Sequence, residues 1–205
     1  MAVGIGADAI GLVSAMPSGP GVISEELIAE IAPTVPPPVA TFLLTSATDA
    51  KTIIAQQRRG RVNTIQICDR VTADCHWELR DQLPGVSLVQ VIHVTGPESV
   101  AEAVEVSSRV DALLLDSGNQ KQAIKELGGT GRTHDWRLSR EIREAASVPL
   151  FLAGGLNPGN IQRAVREVNP FGLDVCSGVR TGGQLDGVKL RSFFETLAQA
   201  GREEM

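Results

Sequence analysis

Leu150-Phe151-Leu152-Ala153 runs straight into Gly154-Gly155-Leu156-Asn157-Pro158, and further on Gly172-Leu173-Asp174-Val175-Cys176 runs into Ser177-Gly178-Val179. Both are short, mostly apolar runs that stop at glycine and small polar residues. A strand with one wet face alternates apolar and polar side chains, whereas a nearly unbroken apolar run marks a strand covered on both faces, as in a parallel sheet. The glycines leave main-chain N–H groups unhindered just beyond each strand's C-terminal end. Asn157 followed by Pro158 has the form of a helix N-cap with proline at the first helical position, leading into Ile161, Ala164, Val165 and Val168. The unit is a strand, a tight turn and a helix.

Similar units fill the rest of the chain. Apolar runs stand at Ala9 to Val13, Val39 to Leu44, Thr64 to Ile67, Leu88 to Val94 and Ala112 to Leu115, with helical patterns between them. Ser24 before Glu25, Glu26, Leu27, Ile28 and Ile31 is a capped start with acids facing the helix dipole. Pro97 opens another helix along Val100, Ala103, Val104 and Val106, and the last helix is expected from Asp186 to Ala200. The repeat of roughly 25 to 30 residues lies near the ~31 of an eight-unit barrel. The spacing therefore predicts one α/β domain over residues 1–205 that is TIM (β/α)8-barrel-like, with a doubly wound open sheet as the second arrangement of the same elements. Seven strands are recognisable, so the first β-strand of eight is expected to be missing. A closed barrel has no edge, but seven strands leave two lines of unpaired N–H and C=O groups. An upstream start, a homodimer covering the open barrel edge, or a barrel that shrinks near residues 1 to 15 are three ways to cover them.

The 205 residues include 19 Lys and Arg against 24 Asp and Glu, a net charge of −5, and the basic residues form no run or stripe. Nucleic acid is a poor partner, because backbone binding depends on clustered positive charge. Any phosphorylated ligand has to be held mostly by backbone amides. No apolar stretch approaches the ~18 residues of a membrane helix, and the start lacks the basic segment and apolar core of a secretory signal. No membrane partner and a cytoplasmic location are expected. Cys68, Cys75 and Cys176 have no CxxC spacing and suit reduced thiols. Cys75-His76 is the pair that suggests zinc, and no second pair stands at ligand spacing.

Gly4-Ile5-Gly6-Ala7-Asp8-Ala9 fits a G-x-G-x-x-A dinucleotide fingerprint, but the residues before it are too few to form the strand that the fingerprint requires. Gly128 to Thr133 lacks the spacing and ending of a P-loop and is a phosphate-compatible loop at most. The turns at Gly154-Gly155 and Ser177-Gly178 have two readings. Each suits a tight turn that needs positive φ, and together, on consecutive units, they suit the phosphate cradle that barrels build after their last two strands. Asp116 ends the run Ala112-Leu113-Leu114-Leu115. A carboxyl at the tip of a buried strand is desolvated, which raises its pKa and suits a general acid; it equally suits a cap for the following loop.

The stretch Leu113 to Phe194 resembles the phosphoribosylanthranilate isomerase family, which performs an Amadori rearrangement in tryptophan biosynthesis. The resemblance is carried by Leu114-Leu115-Asp116-Ser117, by Gly128-Gly129-Thr130-Gly131-Arg132-Thr133-His134-Asp135-Trp136, by Leu152 to Pro158 and by Gly172 to Val179. Gly6 to Gly11 looks like the family's second strand, and Thr64-Ile65-Gln66-Ile67 like its fourth. The resemblance implies a barrel that binds a phosphorylated ribose-type small molecule and converts an aldose to a ketose. By it, Asp116 matches the acid that protonates the ribose ring oxygen, Gly154, Gly155, Ser177 and Gly178 match the phosphate cradle, and Asp174 matches a polar residue near the site. Gly129 and Gln66, inside the matching blocks, join the substrate-binding set. Neither a metal nor an organic cofactor is expected, since two proton-transfer groups suffice.

The departures are specific. The family's first strand ends in Lys-Ile-Cys-Gly, whose cysteine takes the proton from the sugar C2′, and no such motif stands in this sequence. Gly21 stands where the family has an arginine after its second strand, and the family's Gln-Leu-His-Gly reads Gln66-Ile67-Cys68-Asp69. Gln66 and Cys68 share one face of a strand. Cys68, or failing it Asp69, is the candidate base, provided its pKa is lowered; a small buried residue filling the barrel is the other reading of Cys68. His93 is a further candidate, against an ordinary structural histidine. Two other functions stay open: a phosphosugar-binding protein that has lost its base, and an isomerase of a different phosphorylated sugar amine.

Overall fold

Seven parallel strands pair in the order of the sequence: β1 (Ala9–Val13), β2 (Ala40–Thr45), β3 (Thr64–Ile67), β4 (Ser87–His93), β5 (Ala112–Asp116), β6 (Leu150–Leu152) and β7 (Gly172–Leu173). This is a computed structural model describing residues 1–17, 19–118, 127, 131 and 133–200. Helix α1 (Ala2–Ile5) precedes β1; α2 (Glu25–Ile31), α3 (Ala50–Gly60), α4 (Ala73–Gln82), α5 (Glu98–Ser107), α6 (Trp136–Ala145) and α7 (Ile161–Val168) connect the strands, and α8 (Gly187–Ala200) follows them. The strand order never reverses, which excludes the doubly wound arrangement. One pocket touches β1, β2, β3, β5 and the chain just after β6 and β7, so the sheet curls into a barrel-like wall around it.

The unbroken apolar runs follow from this curl. Ile65, Ile67, Leu88, Ile92, Leu113, Leu115, Leu150 and Leu152 face outward and pack with helix residues such as Ile53, Leu79, Ala103, Ile142 and Ala164. Val89, Val91, Ala112, Leu114 and Ala153 face inward with Phe42, Leu44 and Phe151. Both faces of each central strand are dry, which removes the polar alternation. Side-chain caps start α2, α3 and α4: Ser24 Oγ accepts from Leu27 N at 3.2 Å, Asp49 Oδ1 from Thr52 N at 2.9 Å, and Thr72 Oγ1 from Cys75 N at 3.2 Å.

Two expected boundaries move. Asn157 does not cap α7: its Oδ1 accepts from Gly159 N at 2.9 Å and its Nδ2 donates to Gly155 O at 3.0 Å, so it closes a turn and the helix starts at Ile161. Strand β7 is two residues rather than five, because the chain leaves the sheet after Asp174 and enters a 3-10 turn at Ser177–Val179. Gly6 caps the end of α1 with φ 119°, so the dinucleotide lookalike follows a helix instead of a strand. Among the described residues, β1 and β7 have no strand on their outer sides. No helix among them is long and apolar enough to cross a membrane. A hairpin of β8 (Arg180–Thr181) and β9 (Gln184–Leu185) follows the 3-10 turn, joined by Gly182 and Gly183, both at positive φ.

Candidate active site

Alternation along the strands sends Gln66 of β3, Cys68 just past it, Asp116 of β5 and Asp174 just past β7 to the concave face near the strands' C-terminal ends. These four, together with Gly154, Gly155 and Ser177, line one pocket that opens to solvent at the strands' C-terminal ends. Gly178 stands beside this pocket without lining it, and Gly129 lies outside the described residues. Its neighbour Gly131 does line the pocket, with the direction of its missing side chain 3.7 Å from Ser177 Oγ.

The tight-turn reading of Gly154-Gly155 holds. Gly154 and Gly155 have φ of 83° and 63°, which favours glycine on backbone grounds. The Gly155 carbonyl accepts from Asn157 Nδ2 at 3.0 Å and Asn160 Nδ2 at 2.9 Å, which holds the turn in one orientation. Among the described residues, the N–H groups of Gly154, Gly155, Ser177 and Gly178 donate to no protein acceptor. A Cβ on Gly178 would collide with the carbonyl of Leu156, so this glycine lets the loop after β7 lie against the loop after β6. Unpaired donors thus belong to pocket-lining residues of two loops, Gly154 and Gly155 after β6 and Ser177 after β7, and unpaired main-chain N–H groups are what anions seek.

Asp116 Oδ1 accepts from Ser117 N at 2.7 Å, and a Cβ on Gly154 would sit 3.1 Å from the same oxygen. Burial raises the Asp116 pKa, opposed by the Ser117 hydrogen bonds and by His93. His93 stands opposite Asp116 in the β4–β5 register, and its Nε2 donates to Cys68 O at 2.9 Å. It does not line the pocket and instead braces β3 beside the carboxyl. Asp174 is pushed up to about 6, first by burial and then by the charge of Asp116. Two carboxyls this close share their protons: one stays neutral more readily than the other.

Cys68 reaches the pocket, where its Sγ donates to Gln66 O at 3.7 Å. Burial first, then the charges of Asp116 and Asp174, push its thiol well above the ordinary range. Its surroundings do the opposite of what a thiolate base needs. Asp69, the fallback, does not line the pocket, and its Oδ1 accepts from Arg70 N at 2.8 Å. His76 of the zinc-like pair faces Gln90 Oε1 at 3.0 Å, and no group of three or more His, Cys, Asp or Glu that could hold a metal occurs among the described residues.

Sequence reasoning missed the pocket wall formed by Val13, Met16, Gly19 and Pro20, and it assigned Asp174 no titrating role. The inward alternation Gly172, Asp174 was the available signal, but its meaning depends on Asp116 being across the same cavity.

A curled parallel sheet with a pocket of carboxyls and free main-chain donors at its C-terminal mouth defines the class of TIM-barrel-like α/β proteins. The family model for N-(5'phosphoribosyl)anthranilate (PRA) isomerase matches residues 16–196. The chain is 35% identical over 195 residues to N-(5'-phosphoribosyl)anthranilate isomerase 2 of Methanosarcina mazei, covering 94% of this chain and 85% of the relative. The crystal structure of phosphoribosyl anthranilate isomerase from Thermotoga maritima superposes with a TM-score of 0.82 at 25% identity, covering 97% of this chain and 91% of that one. A phosphoribosyl anthranilate isomerase in complex with reduced 1-(o-carboxyphenylamino)-1-deoxyribulose 5-phosphate shares the fold, with a TM-score of 0.79 at 24% identity over 97% of this chain and 91% of that one. The chain belongs to the PRA isomerase family.

Proposed function

We propose that this chain isomerises N-(5'-phosphoribosyl)anthranilate in the tryptophan pathway, in the cytoplasm, with Asp116 and Asp174 as its proton-transfer pair. The observation that carries the reading is the meeting, in one pocket, of those two carboxyls with unpaired amides from two glycine turns. The amides of Gly154, Gly155, Ser177 and Gly178 receive the phosphate. Neutral Asp116 gives its proton to the ribose ring oxygen as the C1′–O bond breaks, and the anthranilate nitrogen lone pair forms a C1′ iminium. Asp174 takes the C2′ proton, the C–H electrons form the C1′–C2′ double bond, and the iminium nitrogen becomes an enamine. Tautomerisation of this enaminol gives the 2′-ketone.

Asp174 is favoured over Cys68 as the base because a carboxyl with a pKa of about 6 is ionised at neutral pH, whereas the Cys68 thiol keeps its proton. The test follows the fluorescence of synthetic phosphoribosylanthranilate. Turnover is expected, and Cys68→Ala is expected to retain it within about fivefold; a loss beyond about 100-fold would give the proton abstraction to Cys68. Binding without turnover would instead support a phosphosugar-binding protein, and turnover confined to another phosphorylated sugar amine a different isomerase.

The reading includes a partner. Among the described residues the outer edges of β1 and β7 carry no strand, apart from a bridge in which Ile23 N donates to Val13 O at 2.9 Å, and a second copy laid along them would pair the remaining backbone groups. Size-exclusion chromatography is expected to give twice the 21.7 kDa chain mass, and elution as a monomer would remove this part.

A further inference from the structure

The pocket lining contains Asp116 and Asp174 but, among the described residues, no Lys, Arg or His. The substrate of the proposed reaction has an anion at each end, a phosphate and the carboxylate of the aromatic amine. Main-chain donors account for the phosphate. The second anion has to enter a cavity that already holds two acids, and Coulomb repulsion there is opposed only by a cation at short range.

One guanidinium reaches the rim. Arg180 opens the β8–β9 hairpin, and its Nη1 donates to Gly183 O at 2.7 Å. Its Nη2 lies 3.6 Å from the point that a Cβ on Gly21 would occupy, and Val13 Cγ2 lies 3.9 Å from that same point. Gly21 follows Gly19 and Pro20, which line the pocket together with Val13 and Met16. The guanidinium also stands near enough to Cys176, whose residue lines the pocket, for its charge to oppose the rise that burial gives that thiol. Among the described residues Arg180 pairs with no carboxylate. Its backbone is fixed as well, because Lys189 Nζ donates to Arg180 O at 2.9 Å. One N–H of the fork is thus spent on the hairpin, while the rest stands over the space left by a residue without a side chain, next to an apolar wall suited to an aromatic ring.

We propose that Arg180 is a specificity-determining residue that pairs with the carboxylate of the aromatic amine, reaching from the hairpin after β7 over Gly21; this rests on the isomerase reading above. A guanidinium suits the task because its planar fork matches a carboxylate through two parallel N–H···O bonds and keeps its charge at every working pH.

The test compares two inhibitors, the reduced 1-(o-carboxyphenylamino)-1-deoxyribulose 5-phosphate and its phenylamino counterpart without the carboxyl. Wild-type protein is expected to prefer the carboxylated compound by about 10- to 100-fold, the range of a charge-assisted bidentate pair. Arg180→Met is expected to bind both alike, with affinity for the carboxyl-free compound unchanged. For the substrate, KM rises about as much while kcat stays within about threefold, as loss of uniform binding requires. Arg180→Gln, which keeps a donor for the Gly183 carbonyl, gives the same loss of preference. A preference retained in both variants, or an equal loss for both compounds, overturns the assignment. Wild-type protein that binds neither compound overturns the isomerase reading, and this one with it.

Discussion

Asp116→Asn is expected to lower kcat by about 10² to 10⁴, the range of general acid catalysis, and to leave the protein at least as stable at pH 7. The amide is nearly isosteric with the carboxyl and keeps an oxygen for Ser117 N, which Asp116 Oδ1 accepts at 2.7 Å. The side chain therefore stays in place against Gly154, and what disappears is the transferable proton. The stability sign follows from burial, which raises the folded-state pKa. A carboxyl with a raised folded pKa contributes most below the usual carboxylate value near 4, and that contribution falls as pH rises through the window above it. The neutral amide has no such loss, so the variant gains on wild type at pH 7 and the gain shrinks toward pH 3. Turnover of phosphoribosylanthranilate together with thermal unfolding at both pH values separates the two effects. A kcat within threefold of wild type would remove Asp116 from the chemistry.

The strands were readable because their chemistry is local. Thr64–Ile67 and Leu150–Leu152 begin and end where the sequence runs do, since both of their faces are buried. Asp116 and the Gly154-Gly155 turn were legible for the same reason, each sitting at the tip of such a run. Asn157 misled because an asparagine before proline has the form of a cap, yet its amide was taken by Gly155 O, a competition that sequence spacing does not reveal. Cys68 was assigned the correct face of β3, but its protonation depends on carboxyls that arrive from β5 and from beyond β7. The meeting of Arg180 with Gly21 is least local of all, because the curl of the whole sheet brings the chain after β1 to the hairpin after β7.

That dependence on curl also decides the second carboxyl. Asp174→Asn is expected to lower kcat by about 10² to 10⁴, comparable with loss of the acid, and to abolish the acid limb of the pH profile. Asp174 has a pKa of about 6, raised first by burial and then by Asp116, so wild-type kcat/KM is expected to fall as pH drops below about 6, where the base becomes protonated. The amide has nothing to titrate there. Asp116→Asn supplies the cross-check: a neutral acid is replaced by a neutral amide and Asp174 is left in place, so the residual activity of that variant keeps its acid limb near the wild-type position. The stability effect has the same sign for both carboxyls, full below pH 4 and lost up to about 6 for Asp174, so Asp174→Asn also unfolds at a higher temperature at pH 7. An acid limb that survives unchanged in Asp174→Asn would assign the titration to another group and break the pair. In the proposed division of roles, the repulsion that weakens the fold is also what separates acid from base: neighbouring buried carboxyls do not ionise equally, so one holds a proton to give while the other is free to take one.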